Sequence, residues 1–504
     1  MSLDSHDLSR IEHWIGGRRF AGDPEHLHPL HNPATGALTA EVAMASAADV
    51  DRAVEIASEA SRDWGRAALG RRTAVLFRFC ELVKQNADDL ARTIVREHGK
   101  VLADARGEVQ RGLEVVEFAC GIPQLLKGEY SENVSTDVDS WSIRQPLGVA
   151  AGITPFNFPV MVPMWMYPIA IAAGNAFILK PSEKDPSASM IVAELWRDAG
   201  LPDGVFNVVH GDRLAVDRIL EHPGIAAVSF VGSTPVARHV YETGAAHGKR
   251  IQALGGAKNH MVVLPDADMD LAADSAVNAA FGSAGQRCMA ISVLVAVGDA
   301  ADRLLPLIED RMRSIRVGDG MEPDSEMGPL VTAEHLQRVT GYLDEGLASG
   351  ARLAVDGRGV EVRNGRRGYF LGPCLFDDVR PHMSIYRDEI FGPVLSVVRV
   401  SGYGDALELI DANPYANGVA LFTRDGGLAR EFQSRVQVGM VGINVPIPVP
   451  MAYFSFGGWR SSMFGDSHAH GADGVRFYTR GKVVTARWPA PALHGMNLGF
   501  PTVT

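Results

Sequence analysis

Cysteine is scarce in this 504-residue chain: four residues, Cys80, Cys120, Cys288 and Cys374, spread far apart and with no CxxC pair. That spacing excludes a disulfide framework and a cysteine zinc site, and it fits a reducing compartment. An excess of basic residues is also missing. Lys and Arg number 48 against 60 Asp and Glu, a net charge of −12, so no global basic surface invites nucleic acid or anionic lipid. An anionic ligand would need a local positive site. The start, "MSLDSHDLSRIEHW", lacks a signal-peptide apolar core. Long apolar runs are lacking too, with one exception: Val160 to Leu179 is uncharged over twenty residues. Pro163 and Pro168 interrupt it and Gly174-Asn175 reads as a turn, which predicts a buried helix followed by a buried strand rather than a membrane span. Finally, no G-x-G-x-x-G fingerprint occurs, which excludes the usual Rossmann phosphate loop.

What is present is the composition of a soluble globular protein, 46% hydrophobic and 21% charged, on a chain long enough for two or three domains. Helical spacing appears in "SAADVDRAVEIASEASRDW", where Ser46 is a candidate cap. A long helix is expected over "RRTAVLFRFCELVKQNADDLARTIVREHG", and a third from about Val101 to Ile122. From Leu147 the pattern alternates between buried strands and helices, which implies a parallel sheet with right-handed crossovers. A second α/β unit begins near Gly256 and continues to about Pro450. "DVDSWSIRQP" and "VRFYTRGKVVTARW" alternate like half-exposed strands and are candidates for pairing between subunits. No internal repeat or low-complexity tract is present.

Four stretches could carry chemistry. In "FGSAGQRCMA", a glycine-rich approach leads to Cys288, and the preceding Arg287 could favour a thiolate; a buried inert thiol is the alternative. Cys80 and Cys120 sit inside apolar helical patterns, and nothing near Cys374 would activate it. In "SFVGSTPVARHV", Gly232 permits a turn and Ser233 or Thr234 can cap a helix with Pro235 at its first position. That is either an ordinary connection or a pyrophosphate seat. "ILKPSE" delivers Lys180 and Glu183 at a strand end, as a clamp for ribose hydroxyls or as a plain ion pair. "ITPFNFPV" holds Asn157 between prolines, either a turn asparagine or a fixed amide donor for an oxyanion.

Together, "TPFNFP", "LKPSE", "FVGST", "GQRC", "EIFGPV" and "FSFGG" resemble, in order and over essentially the whole chain, motifs of the aldehyde dehydrogenase superfamily. The resemblance implies an α/β fold of two parallel-sheet domains plus a small β segment for oligomerisation. It divides the chain into an NAD-binding domain (1–125 and 147–255), a catalytic domain (256–455) and oligomerisation strands (126–146 and 475–490). It implies a nucleophile at Cys288, an oxyanion hole from the Asn157 amide and the Cys288 N–H, and NAD lying across Phe156, Lys180, Glu183, Gly232, Ser233, Glu389 and Phe391. It further implies a homotetramer, a cytoplasmic location and no metal.

Most members of that superfamily release the enzyme-bound thioester with water activated by a glutamate. Here the matching stretch is "QALGGAKNH", which puts either Ala253 or Leu254 at that position, and neither can take a proton. A thiol acceptor needs little help from a base. "GAKNH", "AAFGSAGQRCMA", "RGLEVVEFA", "HGKRIQA" and "NVPIPVPMAYFSF" are similar to the coenzyme A-acylating branch that oxidises methylmalonate semialdehyde. In that branch the matches of Arg111 and Arg287 bind the substrate carboxylate, as a fixed, permanently charged donor fork suits. The implied reaction converts methylmalonate or malonate semialdehyde, with loss of CO₂, to propionyl- or acetyl-coenzyme A. The alternatives are a non-acylating NAD(P)-dependent enzyme making a free acid, and a catalytically idle binding protein.

Overall fold

The computed structural model describes residues 8–362, 365 and 367–488. Two large sheets organise them. The first is eight-stranded. Its centre is parallel, in the spatial order Arg250–Leu254, Ile225–Val231, Val149–Ile153, Ala176–Lys180 and Phe206–Val208. Antiparallel strands close both edges, Met463–Phe464 at one and the hairpin of His13–Ile15 and the edge strand Arg18–Phe20 at the other. The second sheet has seven strands, six of them parallel, running from Cys374–Asp377 through Val394–Val400, Ile291–Val297, Asn259–Val263 and Gly418–Phe422 to Met440–Ile443. Its edge strand Arg352–Val355 is antiparallel. Strands buried on both faces are apolar, as in Val149–Ile153 and in Ala176–Lys180 up to its last residue, Lys180.

A third, antiparallel sheet joins Thr479–Arg487 to Val138–Pro146, and that strand to Tyr130–Ser135. The two half-exposed segments thus pair with each other inside one chain. Val475–Phe477, expected as strand, instead belong to the helix Gly471–Phe477, which ends where the Thr479 hydroxyl donates to Val475 O at 2.6 Å. Residues 489 and 490 of the same expectation lie outside the described residues.

Among the helices, Ala47–Arg66 opens with a capping box: the Ser46 hydroxyl accepts from Asp49 N while Asp49 accepts from Ser46 N. The single long helix expected next is two, Leu69–Gln85 and Ala87–His98. Asn86 breaks it, because its amide donates to Leu82 O and caps the first helix with its own side chain. The uncharged run forms two short helices, Met161–Met164 and Tyr167–Ala172, then the strand Ala176–Lys180. Asn175 is buried and fully engaged at the junction. Its carbonyl oxygen accepts from Leu147 N and Gly148 N, and its amide donates to Ala170 O and Tyr478 O. No helix among the described residues is long and apolar enough to cross a membrane.

Candidate active site

A cleft opens at the carboxyl ends of the first sheet's central strands, where α/β sheets bind ligands. It has two adjoining compartments of about 630 and 530 Å³. The outer one is lined by Lys180, Glu183, Gly232 and Ser233. The inner one brings Phe156, Asn157, Gly232, Ser233, Cys288, Glu389 and Phe391 together, from both sheets.

Lys180 is delivered by its strand and lies 3.5 Å from Glu183, with its ammonium almost wholly buried. Burial lowers the Lys180 pKa and works against the Glu183 charge, but the lysine brings the Glu183 carboxyl below its usual range all the same. The helix Thr234–Ala246 points its start into the cleft. Ser233 is its cap residue, yet no side-chain bond caps it, and Pro235 takes the second helical position rather than the first. The Thr234 hydroxyl is used elsewhere, accepting from Gly256 N and donating to Ser461 O. The helix start therefore leaves donors for an anion. Phe156 floors the junction, with the Lys184 ammonium 4.9 Å from its ring centroid and Phe391 edge-on at 5.9 Å.

Cys288 follows a turn that only a special backbone makes. Ser283, Ala284 and Gly285 all have positive φ, and a Cβ at Gly285 would strike the Gly392 carbonyl. Buried Gln286 locks that turn, accepting from Val331 N and donating to Pro329 O. Two asparagines then hold the peptide of the nucleophile. Asn259 donates to Cys288 O at 3.0 Å and Asn417 does so at 3.3 Å. The thiol itself is pushed up to about 12, by burial first and by the nearby Glu389 charge second. The expected help from Arg287 is small, because its guanidinium turns to Asp104 at 2.8 Å. Burial thus favours the thiol over the thiolate at Cys288.

Glu389 accepts from Ala257 N at 2.9 Å, and burial raises its pKa to about 7. Gly256 makes room for it, since a Cβ there would collide with the carboxylate. Lys258 ties the same loop down through Ile385 O and Asp388 O.

The strand Arg250–Leu254 decides which residue stands where a general base could act. Side chains alternate across a strand. Ala253 packs into the apolar cluster on the far face. Leu254 lies in the cluster against which Cys288 packs. It is Leu254, fully apolar and 2% exposed, that the strand presents on the thiol's side.

Arg111 and Arg287 meet at the helix Leu102–Cys120. Asp104, Glu108 and Arg111 recur there at spacings of four and three, so they share one face. Asp104 binds Arg287, and Glu108 binds Lys100. Arg111 donates to Glu114 at 2.6 Å and to Pro450 O at 2.9 Å. Arg287 lines a small space with Cys288 and Glu389, whereas Arg111 stands farther out, bonded to the 450 loop. Sequence reading missed Asp104, Lys100, Glu108, Asn259, Gln286 and Asn417. Asp104 and Glu108 were legible only as helical charges, Lys100 only as a charge between two helices, and the amides had no motif to mark them.

Comparison with known proteins agrees with this geometry. Residues 20–484 match the aldehyde dehydrogenase family. The chain belongs to that family. It is 52% identical, over 98% of its length and all of the relative's, to a malonate-semialdehyde dehydrogenase of Pseudomonas aeruginosa. It is 48% identical to malonate-semialdehyde dehydrogenase 1 of Geobacillus thermodenitrificans, over 95% of this chain and 99% of the relative. A structure from Sinorhizobium meliloti 1021, provisionally named a methylmalonate-semialdehyde dehydrogenase and solved with NAD, superposes with TM-score 0.95 at 53% identity, covering 98% of this chain and 100% of that one. The methylmalonate-semialdehyde dehydrogenase of Oceanimonas doudoroffii gives the same score and identity over 96% and 99%. This member of the aldehyde dehydrogenase family has the expected fold of two mostly parallel sheets and a small antiparallel one.

Proposed function

We propose that the protein oxidises malonate semialdehyde and methylmalonate semialdehyde with NAD, and passes the decarboxylated acyl group to coenzyme A. The observation that carries this reading is Leu254. On the thiol's side of its strand there is no carboxylate to activate water, so release by a second thiol is favoured. The relatives named for these two semialdehydes support the substrate class.

The cleft fits a dinucleotide: a helix start with free donors for the pyrophosphate, Lys180 and Glu183 for a ribose diol, and Glu389 beside the thiol for the other ribose. Glu183 would also repel a 2′-phosphate, which favours NAD over NADP. When bound, NAD accepts the two electrons of the oxidation as hydride. The chain supplies the rest. The Cys288 thiol gives its proton to solvent water, and the sulfur adds to the aldehyde carbon. The Asn157 side chain and the Cys288 N–H receive the alkoxide, and Arg287, with Arg111 farther out, receives the carboxylate. A thioester remains on Cys288. In it the carboxylate is β to a carbonyl, so the C–C bond breaks to give CO₂ and an enolate that takes up a proton. The thiolate of coenzyme A then displaces the Cys288 thiolate. A homotetramer assembled through the third sheet, in the cytoplasm, completes the reading; the four free cysteines support a reducing location.

One observation favours a hydrolytic alternative: Glu389, titrating near neutrality, lines the same compartment as Cys288. The test is NADH formation from methylmalonate semialdehyde with and without coenzyme A, with products identified by mass spectrometry. Turnover that needs coenzyme A and yields propionyl-coenzyme A is expected. Equal turnover without it, yielding free acid, would transfer the role of base to Glu389.

A further inference from the structure

We propose that the buried Lys100–Glu108 ion pair is the positioning device for the oxyanion donor, clamping the loop that carries Asn157. This rests on the reading of Cys288 and Asn157 as the reacting pair, and on nothing about the semialdehyde.

Both side chains are completely buried, at 2.7 Å from one another. Such a pair contributes little net stability, because desolvation offsets the attraction. Its remaining bonds all go to one short segment. Lys100 Nζ donates to Asn157 O at 2.7 Å and lies 4.2 Å from the Phe158 ring centroid. The other Glu108 oxygen accepts from Val160 N at 2.8 Å and from Met161 N at 3.2 Å. The segment needs outside support. Pro155 and Pro159 flank Asn157 and have no N–H to give, so the loop cannot brace itself with a regular ladder. Asn157 is buried, and among the described residues no side chain bonds its amide, which is left to face the cleft beside Cys288. A donor that acts on a developing charge must be held within a few tenths of an ångström. The ion pair grips the peptides on either side of it. Since Glu108 shares its helix face with Asp104 and Arg111, one rigid helix aims the oxyanion donor and anchors both arginines.

The test uses p-nitrophenyl acetate, an ester that acylates a thiol through a tetrahedral oxyanion and requires neither NAD nor a semialdehyde. Lys100→Met alone leaves a buried carboxylate unpaired and is expected to unfold the protein. The informative variant is therefore Lys100→Met/Glu108→Gln, which removes both charges and keeps an acceptor for Val160 and Met161. The nitrophenolate burst is expected to slow by about 100-fold, as when an oxyanion donor is lost. Alkylation of Cys288 by iodoacetamide and NAD affinity should stay within about twofold, which a general structural defect would not allow. Adding Asn157→Ala to the double variant should cost little more, because the donor is already misaimed. Glu108→Gln alone, with Lys100 still holding Asn157 O, should fall between. The proposal is overturned if the double variant keeps the wild-type burst, or if Asn157→Ala has its full effect in that background. If Asn157→Ala leaves the burst unchanged in the wild-type protein, the reading of the site falls, and this proposal with it.

Discussion

Cys288 combines a strong nucleophile with an environment that keeps it protonated. The burial that raises it to about 12 also protects it from oxidants while the cleft is empty. Its alkylation by iodoacetamide should therefore climb about tenfold per pH unit from about pH 6 to about pH 9 without levelling off. A plateau near neutrality would show a thiolate already formed. Arg287 makes a different prediction. With one donor spent on Asp104, the rest of its fork remains for a carboxylate. Arg287→Leu should raise KM for malonate semialdehyde about 100-fold, near the roughly 3 kcal/mol of a charge-assisted bond, and leave KM for propanal almost unchanged. Steady-state kinetics on both aldehydes separates a lost carboxylate contact from a damaged nucleophile. Local sequence offered Cys288 because a glycine-rich approach leads to it, Asn157 because prolines restrict its backbone, and Arg287 because it adjoins the thiol. It could not show that Asp104, 183 positions away, partners Arg287. That contact exists only once two separate elements meet.

At the level of elements, the approach to Cys288 is a turn of three consecutive left-handed residues, two of which carry a Cβ. Gly285 is the one that cannot be replaced, because the Gly392 carbonyl occupies the space. Gly285→Ala should destabilise the protein by about 3 kcal/mol and abolish NADH formation. Urea denaturation with an activity assay would check it, and a fully active, equally stable variant would show that the turn is not required. Strand and helix positions around the cleft were legible from alternating buried strands and amphipathic helices. Two boundaries were not, for local reasons. Asn86 interrupts a helical pattern that is apolar on both sides of it, and capping by its own amide leaves no break in the periodicity. The segment after Gly471 alternates like a strand but starts as a helix, because tertiary contacts outweigh a two-residue period over three positions.

For the molecule as a whole, the antiparallel sheet displays Val483 at 72% and Tyr130 at 62% exposure, large apolar side chains that suit burial against another copy. The proposed homotetramer predicts that Val483→Asp lowers the mass measured by light scattering while sparing NAD binding, since the cleft lies elsewhere. Acid stability follows from the interior. Burial holds six histidines neutral: His13, His335 and His470 at about 4, His210 and His260 at about 3, and His98 well below its ordinary value. Unfolding returns each to its ordinary value of about 6.5, so between those limits the unfolded chain binds the extra protons and stability falls as pH drops. Glu97 and Glu389, raised to about 7, work the other way between about 4.5 and 7, because the folded protein holds their protons. Asp185 and Glu108, also raised by burial, act in the same sense as those two glutamates, so six histidines oppose four carboxylates and unfolding near about pH 5.5 takes up protons on balance. The histidines therefore dominate. Above neutrality Lys258 and Lys249, lowered by burial to about 7 and about 8, add stability as pH rises toward the ordinary lysine value, and Cys120, Cys288 and Cys374, all raised to about 12, subtract it above about 9. The optimum should lie between about pH 7.5 and about pH 9, with Tm falling by several degrees at about pH 5.5. Scanning calorimetry across that range checks the order, and a Tm that rises on acidification would mean that the buried carboxylates, not the histidines, set the balance.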